Sequence, residues 1–83
     1  MGFVLFSRPG CCLCEDLLAE LTAELASIPA AQGVPLEVRD VDASPETRIR
    51  YGHKVPVLLF RGELVCHGRL DREELHKVFG LPR

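Results

Sequence analysis

The chain has 83 residues, 47% hydrophobic and 27% charged, with ten Lys and Arg against twelve Asp and Glu. That length suits one domain spanning residues 1–83, and the apolar content excludes a chain that stays disordered for want of a core. A net charge of −2 with no basic stripe excludes the electrostatic footprint of a nucleic-acid-binding protein, and no apolar run approaches the ~20 residues of a membrane span.

Phe3-Val4-Leu5-Phe6 is a short run of β-formers that stops at the turn signal Ser7-Arg8-Pro9-Gly10, which predicts a buried strand. The run is too short for a signal-peptide core and no basic segment precedes it. The expected location is therefore the cytoplasm, where thiols stay reduced and cysteines serve catalysis or metal binding rather than cross-linking. From Cys11 to Ser27 the apolar residues Leu17, Leu21, Leu25 and Ile28 recur at helical steps, and Pro29 and Gly33 bracket the exit. Leu36, Val38 and Val41, between Pro35 and Asp42, predict a second strand.

Ser44 then caps a short helix with Pro45 at its first position, ending near Tyr51-Gly52. Val55-Pro56-Val57-Leu58-Leu59-Phe60 reads as a strand entered through a proline. The turn Arg61-Gly62-Glu63 joins it to a fourth strand, Leu64-Val65-Cys66-His67, and so short a connection makes the pair an antiparallel hairpin. Asp71 caps a last helix with Glu74 as capping-box partner, Leu75, Val78 and Phe79 as its apolar face, and Gly80 as its stop. The predicted fold is α/β in the order β-α-β-α-β-β-α, a four-stranded mixed sheet flanked by helices, with a parallel crossover first and a hairpin last.

The chemistry sits where the first strand turns into the first helix. Cys11 and Cys14 are three residues apart on the opening turn, close enough for their sulfurs to meet. Unpaired N–H groups and the positive end of the helix dipole favour thiolate over thiol at Cys11. A thiolate attacks disulfides, and a neighbouring thiol resolves the mixed disulfide. Cys-x-x-Cys beside a strand-helix-strand pattern is a redox signal. A structural zinc site wants four ligands in close-spaced pairs, and the other candidates, Cys66, His67, His53 and His76, lack that spacing. No metal ligands are assigned. Cys12 is either a second resolving or modulating thiol or a small side chain pointing off the helix start, since adjacent residues do not share a helix face. Cys66 reads as a small buried hydrophobe. His67 would tune Cys11 if it stands close.

With Phe3-Val4-Leu5-Phe6-Ser7-Arg8-Pro9-Gly10-Cys11-Cys12-Leu13-Cys14 in front, Val55-Pro56-Val57 in the middle and Gly68 with Asp71 near the end, the chain resembles the short glutaredoxin-like proteins of the thioredoxin-like fold. The resemblance implies that Cys11 is the nucleophile and Cys14 the resolving thiol. It implies a cis Pro56 beside the cysteines, with the Val55 backbone turned toward substrate. Arg8 would meet a glutathione carboxylate, Lys54 would lie near the cysteines, and Gly68 and Asp71 would hold the γ-glutamyl end at the head of the last helix. The chain departs from the family where Cys12-Leu13 replaces Pro-Tyr, Lys54 replaces Thr and His67-Gly68 replaces Gly-Gly.

The activity implied is thiol–disulfide exchange on protein disulfides or glutathionylated proteins, by a monomer with no bound cofactor. Glutathione serves as co-substrate, or a thioredoxin-type reductase supplies the electrons. Two other classes fit a Cys-x-x-Cys chain: a carrier of copper or an iron–sulfur cluster, and a thioredoxin-fold binding module without turnover. A copper carrier's ferredoxin-like order ends in a strand, whereas this chain ends in a helical pattern.

Overall fold

The computed structural model describes residues 2–80; Met1 and residues 81–83, which the one-domain reading includes, lie outside the described residues. The elements are β1 (Phe3–Ser7), α1 (Cys12–Ala26), β2 (Leu36–Asp40), α2 (Pro45–Tyr51), β3 (Val57–Phe60), β4 (Glu63–His67) and α3 (Arg72–Val78). Short 3-10 turns occupy Pro29–Ala31 and Val41–Ala43. The strands form one sheet in the order β2-β1-β3-β4. β1 and β2 run parallel; β1–β3 and β3–β4 are antiparallel.

The central strands β1 and β3 are covered on both faces, which is why β1 is apolar from Phe3 to Phe6 and β3 along its whole length. On one face Phe3, Leu5, Leu58, Val65 and Cys66 pack with Leu17 and Leu21 of α1 and Leu75 of α3. On the other, Phe6, Val57, Leu59 and Val41 pack with Tyr51 of α2. Leu17 and Leu21 stand one helical turn apart and are both fully buried. Each contributes about 1.5–3 kcal/mol by leaving water.

Several ends differ by a residue or two from the sequence expectation, β4 for instance starting at Glu63 and not Leu64, and two of the differences have a visible cause. β2 stops at Asp40, and Val41 turns into a 3-10 turn in which it is buried. The Asp40 side chain accepts the Asp42 N–H at 2.9 Å, so a local acceptor competes with the strand ladder and wins. β3 begins at Val57 rather than Val55, because Pro56 has no N–H to give the ladder.

The β3–β4 hairpin turns on Arg61 and Gly62, both at positive φ (53° and 83°), the backbone of the tight turns that match strand twist. One residue further along the hairpin, the register skips Val65: Leu58 faces Cys66 while Leu59 faces Leu64. This bulge lets the adjacent residues Val65 and Cys66 both reach the same core.

The third helix is capped as expected at its backbone, Asp71 Oδ1 accepting the Glu74 N–H at 3.2 Å. The Glu74 carboxylate turns instead to Lys77 Nζ, 2.9 Å away. No helix among the described residues is long and apolar enough to cross a membrane.

Candidate active site

The sheet register gathers the chemistry at one end. Ser7 pairs with Asp40, Phe6 with Val57, and Val57 with His67, so these residues mark one edge across all four strands. The segments that leave that edge carry Arg8 to Cys11, Val41 to Ser44, Val55-Pro56 and Gly68 to Asp71.

Cys11 is the N-cap of α1 and lies outside the helix in an extended conformation, φ −88° and ψ 110°. Its N–H donates to the Arg8 carbonyl at 3.1 Å, closing the turn through Pro9-Gly10. Its sulfur takes the position a Ser or Asp oxygen takes at other caps and accepts the Cys14 N–H at 3.2 Å. A negative charge on Sγ is thus met by a helix N–H and by the positive end of a fifteen-residue helix. Cys12 is exposed at the first helical position, and Leu13 beside it is exposed as well.

Cys14 has the opposite environment. It is buried, and its thiol is pushed up from an ordinary 9.0 to about 11. Burial is the main cause, and the hydrogen bond to the Cys11 sulfur adds to it; the Arg8 N–H and charge pull weakly the other way. All four cysteines are free thiols here. The pair is therefore asymmetric: one half-exposed sulfur at a helix N-terminus and one buried sulfur that keeps its proton.

Arg8 is fully engaged. Nε donates to Asp42 Oδ2 at 2.8 Å, Nη2 to Asp42 Oδ1 at 3.0 Å, and Nη1 to the Gly52 carbonyl at 3.0 Å. This fork ties the cysteine loop to the turn after β2 and to the end of α2. The Arg8 guanidinium holds the Asp42 carboxyl below the usual carboxylate range. In the sequence Asp42 only bounds the second predicted strand. Its partner lies 34 positions away, and no local pattern joins them.

The Val55–Pro56 peptide is cis, and Pro56 is buried. The Pro56 carbonyl accepts the Gly68 N–H at 2.8 Å, which brings two of the predicted substrate-binding segments together. Gly68 sits at φ 80°, a left-handed bend that turns the chain from β4 toward α3. Asp71 caps that helix.

A cleft of about 390 Å³ has Leu13, Asp16 and Glu20 on its α1 side and Gly68, Arg69 and Leu70 on the other. Of the dithiol turn only Leu13 lines this cleft; Cys14 borders a separate recess with Arg8, Pro9, Gly10 and Val38. Lys54 is half-buried and Val55 packs against the α2-side core. His67 and Cys12 are exposed. Cys66 is buried, its thiol pushed up by that burial, with the Asp71 N–H directed at its sulfur. Among the described residues no three His, Cys, Asp or Glu side chains gather as a metal site.

A β2-β1-β3-β4 sheet with helices on both faces, a Cys-x-x-Cys on the first helix and a cis-proline before the third strand define the thioredoxin-like class. Within it, residues 3–80 match the glutaredoxin-like domain (DUF836), and the chain belongs to that family. The fold is similar to the solution NMR structure of protein Ne2328 from Nitrosomonas europaea, with a TM-score of 0.79 and 28% identity over 93% of this chain and 88% of that one. It is also similar to the X-ray structure of protein XcR50 from X. campestris, with a TM-score of 0.68 and 22% identity over 94% of this chain and 95% of that one. None of the curated proteins matches the chain.

Proposed function

We propose that the protein is a thiol–disulfide oxidoreductase in which Cys11 attacks and Cys14 resolves. The observation that carries the reading is the asymmetry of the pair: Cys11 Sγ accepts a helix N–H, while Cys14 is buried with its thiol raised to about 11. The Cys11 thiolate attacks one sulfur of a substrate disulfide. The S–S bond breaks, the far sulfur leaves as a thiolate, and a mixed disulfide forms on Cys11. Cys14 then gives up its proton and attacks Cys11 Sγ. The second substrate sulfur leaves, and the Cys11–Cys14 disulfide holds the two electrons' worth of oxidation. An external thiol, glutathione or a thioredoxin-type reductase, restores the dithiol. No bound cofactor enters the sequence of steps.

The substrates proposed are protein disulfides or glutathionylated proteins, handled by a monomer in a reducing compartment such as the cytoplasm. Substrate would lie against Val55-Pro56 and Gly68, which the 2.8 Å bond from Gly68 N–H to the Pro56 carbonyl holds together. Asp71 heads α3 beside them, and Lys54 enters the same turn. Arg8 acts as a positioning residue in this reading, since all three of its nitrogens already have partners. Among the described residues a β3–β4 hairpin followed by α3 differs from the ferredoxin-like order of a copper carrier.

The test is intact mass after equilibration in graded glutathione redox buffers, with the modified cysteines mapped. The wild type is expected to lose two hydrogens reversibly in a Cys11–Cys14 disulfide. Absence of that disulfide at every potential would overturn the reading.

A further inference from the structure

The cations of this chain divide into two groups. Arg8, Arg39, Arg72 and Lys77 each hold a carboxylate. Arg48, Arg50, Lys54, Arg61 and Arg69 do not: among the described residues none of the five forms an ion pair, and the first three stand apart from the rest. These three follow one another within residues 47–56, a stretch with no Asp or Glu, in a chain whose net charge is −2. Arg48 and Arg50 are exposed on α2, and Arg50 lies over the Tyr51 ring, 6.0 Å from its centroid. The nearby Asp42 is already bound by Arg8 on both carboxylate oxygens. Between the two arginines stands Ile49, 76% exposed, more open than any other large apolar side chain among the described residues.

This stretch leads directly into the cis Val55–Pro56 step, and the Gly52 carbonyl within it takes the Arg8 Nη1 bond from the cysteine loop. The patch is therefore joined to the reactive end. Ile49 is a single open apolar side chain, flanked in sequence by Arg48, whose charge reaches Asp42, and by Arg50. The cluster's positive charge, free of close ion pairs, is complementary to an acidic protein surface.

We infer that the Arg48-Ile49-Arg50 ridge, with Lys54, docks the protein substrate of the dithiol, and that this substrate carries acidic residues beside its disulfide. The inference rests on the thiol–disulfide reading and names the substrate class for it. Complementary charge raises the encounter rate and falls away with salt, while Ile49 supplies the apolar contact.

Two synthetic disulfide peptides, alike except for Glu or Lys flanking the cysteines, test it. Each reduction rate is taken relative to that on hydroxyethyl disulfide, which is uncharged and reports the dithiol alone. At about 0.01 M salt the Glu peptide is expected to react about tenfold faster than the Lys peptide, and at about 1 M salt the two converge. R48E/R50E inverts the preference, and I49A slows both peptides.

Equal rates for the two peptides at low salt, or a preference that R48E/R50E leaves intact, would overturn the inference while the dithiol reading stands. An equal effect of R48E/R50E on oxidised glutathione would make the ridge a small-anion site and overturn it as well. Failure on hydroxyethyl disulfide would sink the dithiol reading, and this inference with it.

Discussion

In the proposed exchange, Cys14 sets the tempo. In the dithiol its thiol is pushed up to about 11, chiefly by burial and further by Cys11; in the mixed disulfide the Cys11 contribution falls away while burial remains, so the resolving step draws on a minor thiolate fraction. With an aromatic disulfide reagent, in a Cys12→Ser background that removes the exposed third thiol, the first leaving thiol reports attack by Cys11 and the second reports resolution by Cys14. The second phase should quicken about tenfold per pH unit from about pH 6 to about pH 9 and vanish in Cys14→Ser. A second phase flat over that range would show that the buried thiol does not resolve. Arg8 makes a separate prediction. Lysine keeps the charge but cannot span the fork to both Asp42 oxygens and the Gly52 carbonyl. Arg8→Lys should therefore lower the Tm nearly as far as Arg8→Gln; a Tm restored by lysine would mean that charge alone matters there.

Among the elements, α1 and α3 share one latch. The Glu24 carboxylate on α1 takes Arg72 Nε at 3.2 Å and His76 Nε2 at 2.8 Å, both from α3. These partners hold Glu24 below the usual carboxylate range. Beneath the latch, Leu21 and Leu75 are fully buried in one cluster. Leu21→Ala should cost about 2–5 kcal/mol in denaturant unfolding. Asp71→Ala, which removes the α3 cap, should cost about 1 kcal/mol.

The elements themselves were legible in the sequence, because their signals are local: a leucine every fourth residue, Ser44 before Pro45, a turn at Arg61-Gly62. What local signals missed has a physical cause. Asp40 diverts its own backbone at the end of β2, and Val41 is buried through a turn rather than a strand. The β4 bulge depends on cross-strand packing that no single segment displays.

At the scale of the molecule, the site is the end of a sheet. Cys11, Cys14, Pro56, Gly68 and Asp71 stand out in the sequence as candidates, and the register explains how their segments, far apart in sequence, reach one edge. The Arg8–Asp42 tie was not readable, since nothing near either residue names the other. Ionisation bounds the stability of the whole.

Asp42, Glu24 and Glu37 titrate below their ordinary values, so the stability they contribute is present above the ordinary carboxylate range and lost as pH falls through their lowered values. Cys14 titrates above its ordinary 9.0, so its contribution is complete below that value and lost as pH rises through about 11. Thermal melts across pH should give a plateau between those limits, with an alkaline limb that Cys14→Ser flattens.

The central claim is that Cys11 attacks and Cys14 resolves, and the Cys14→Ser protein tests it most directly. Incubated with oxidised glutathione and mapped by peptide mass, that variant should hold one glutathione, on Cys11, stable until a thiol is added. An adduct on Cys12 or Cys66 in its place, or none on Cys11, would contradict the account.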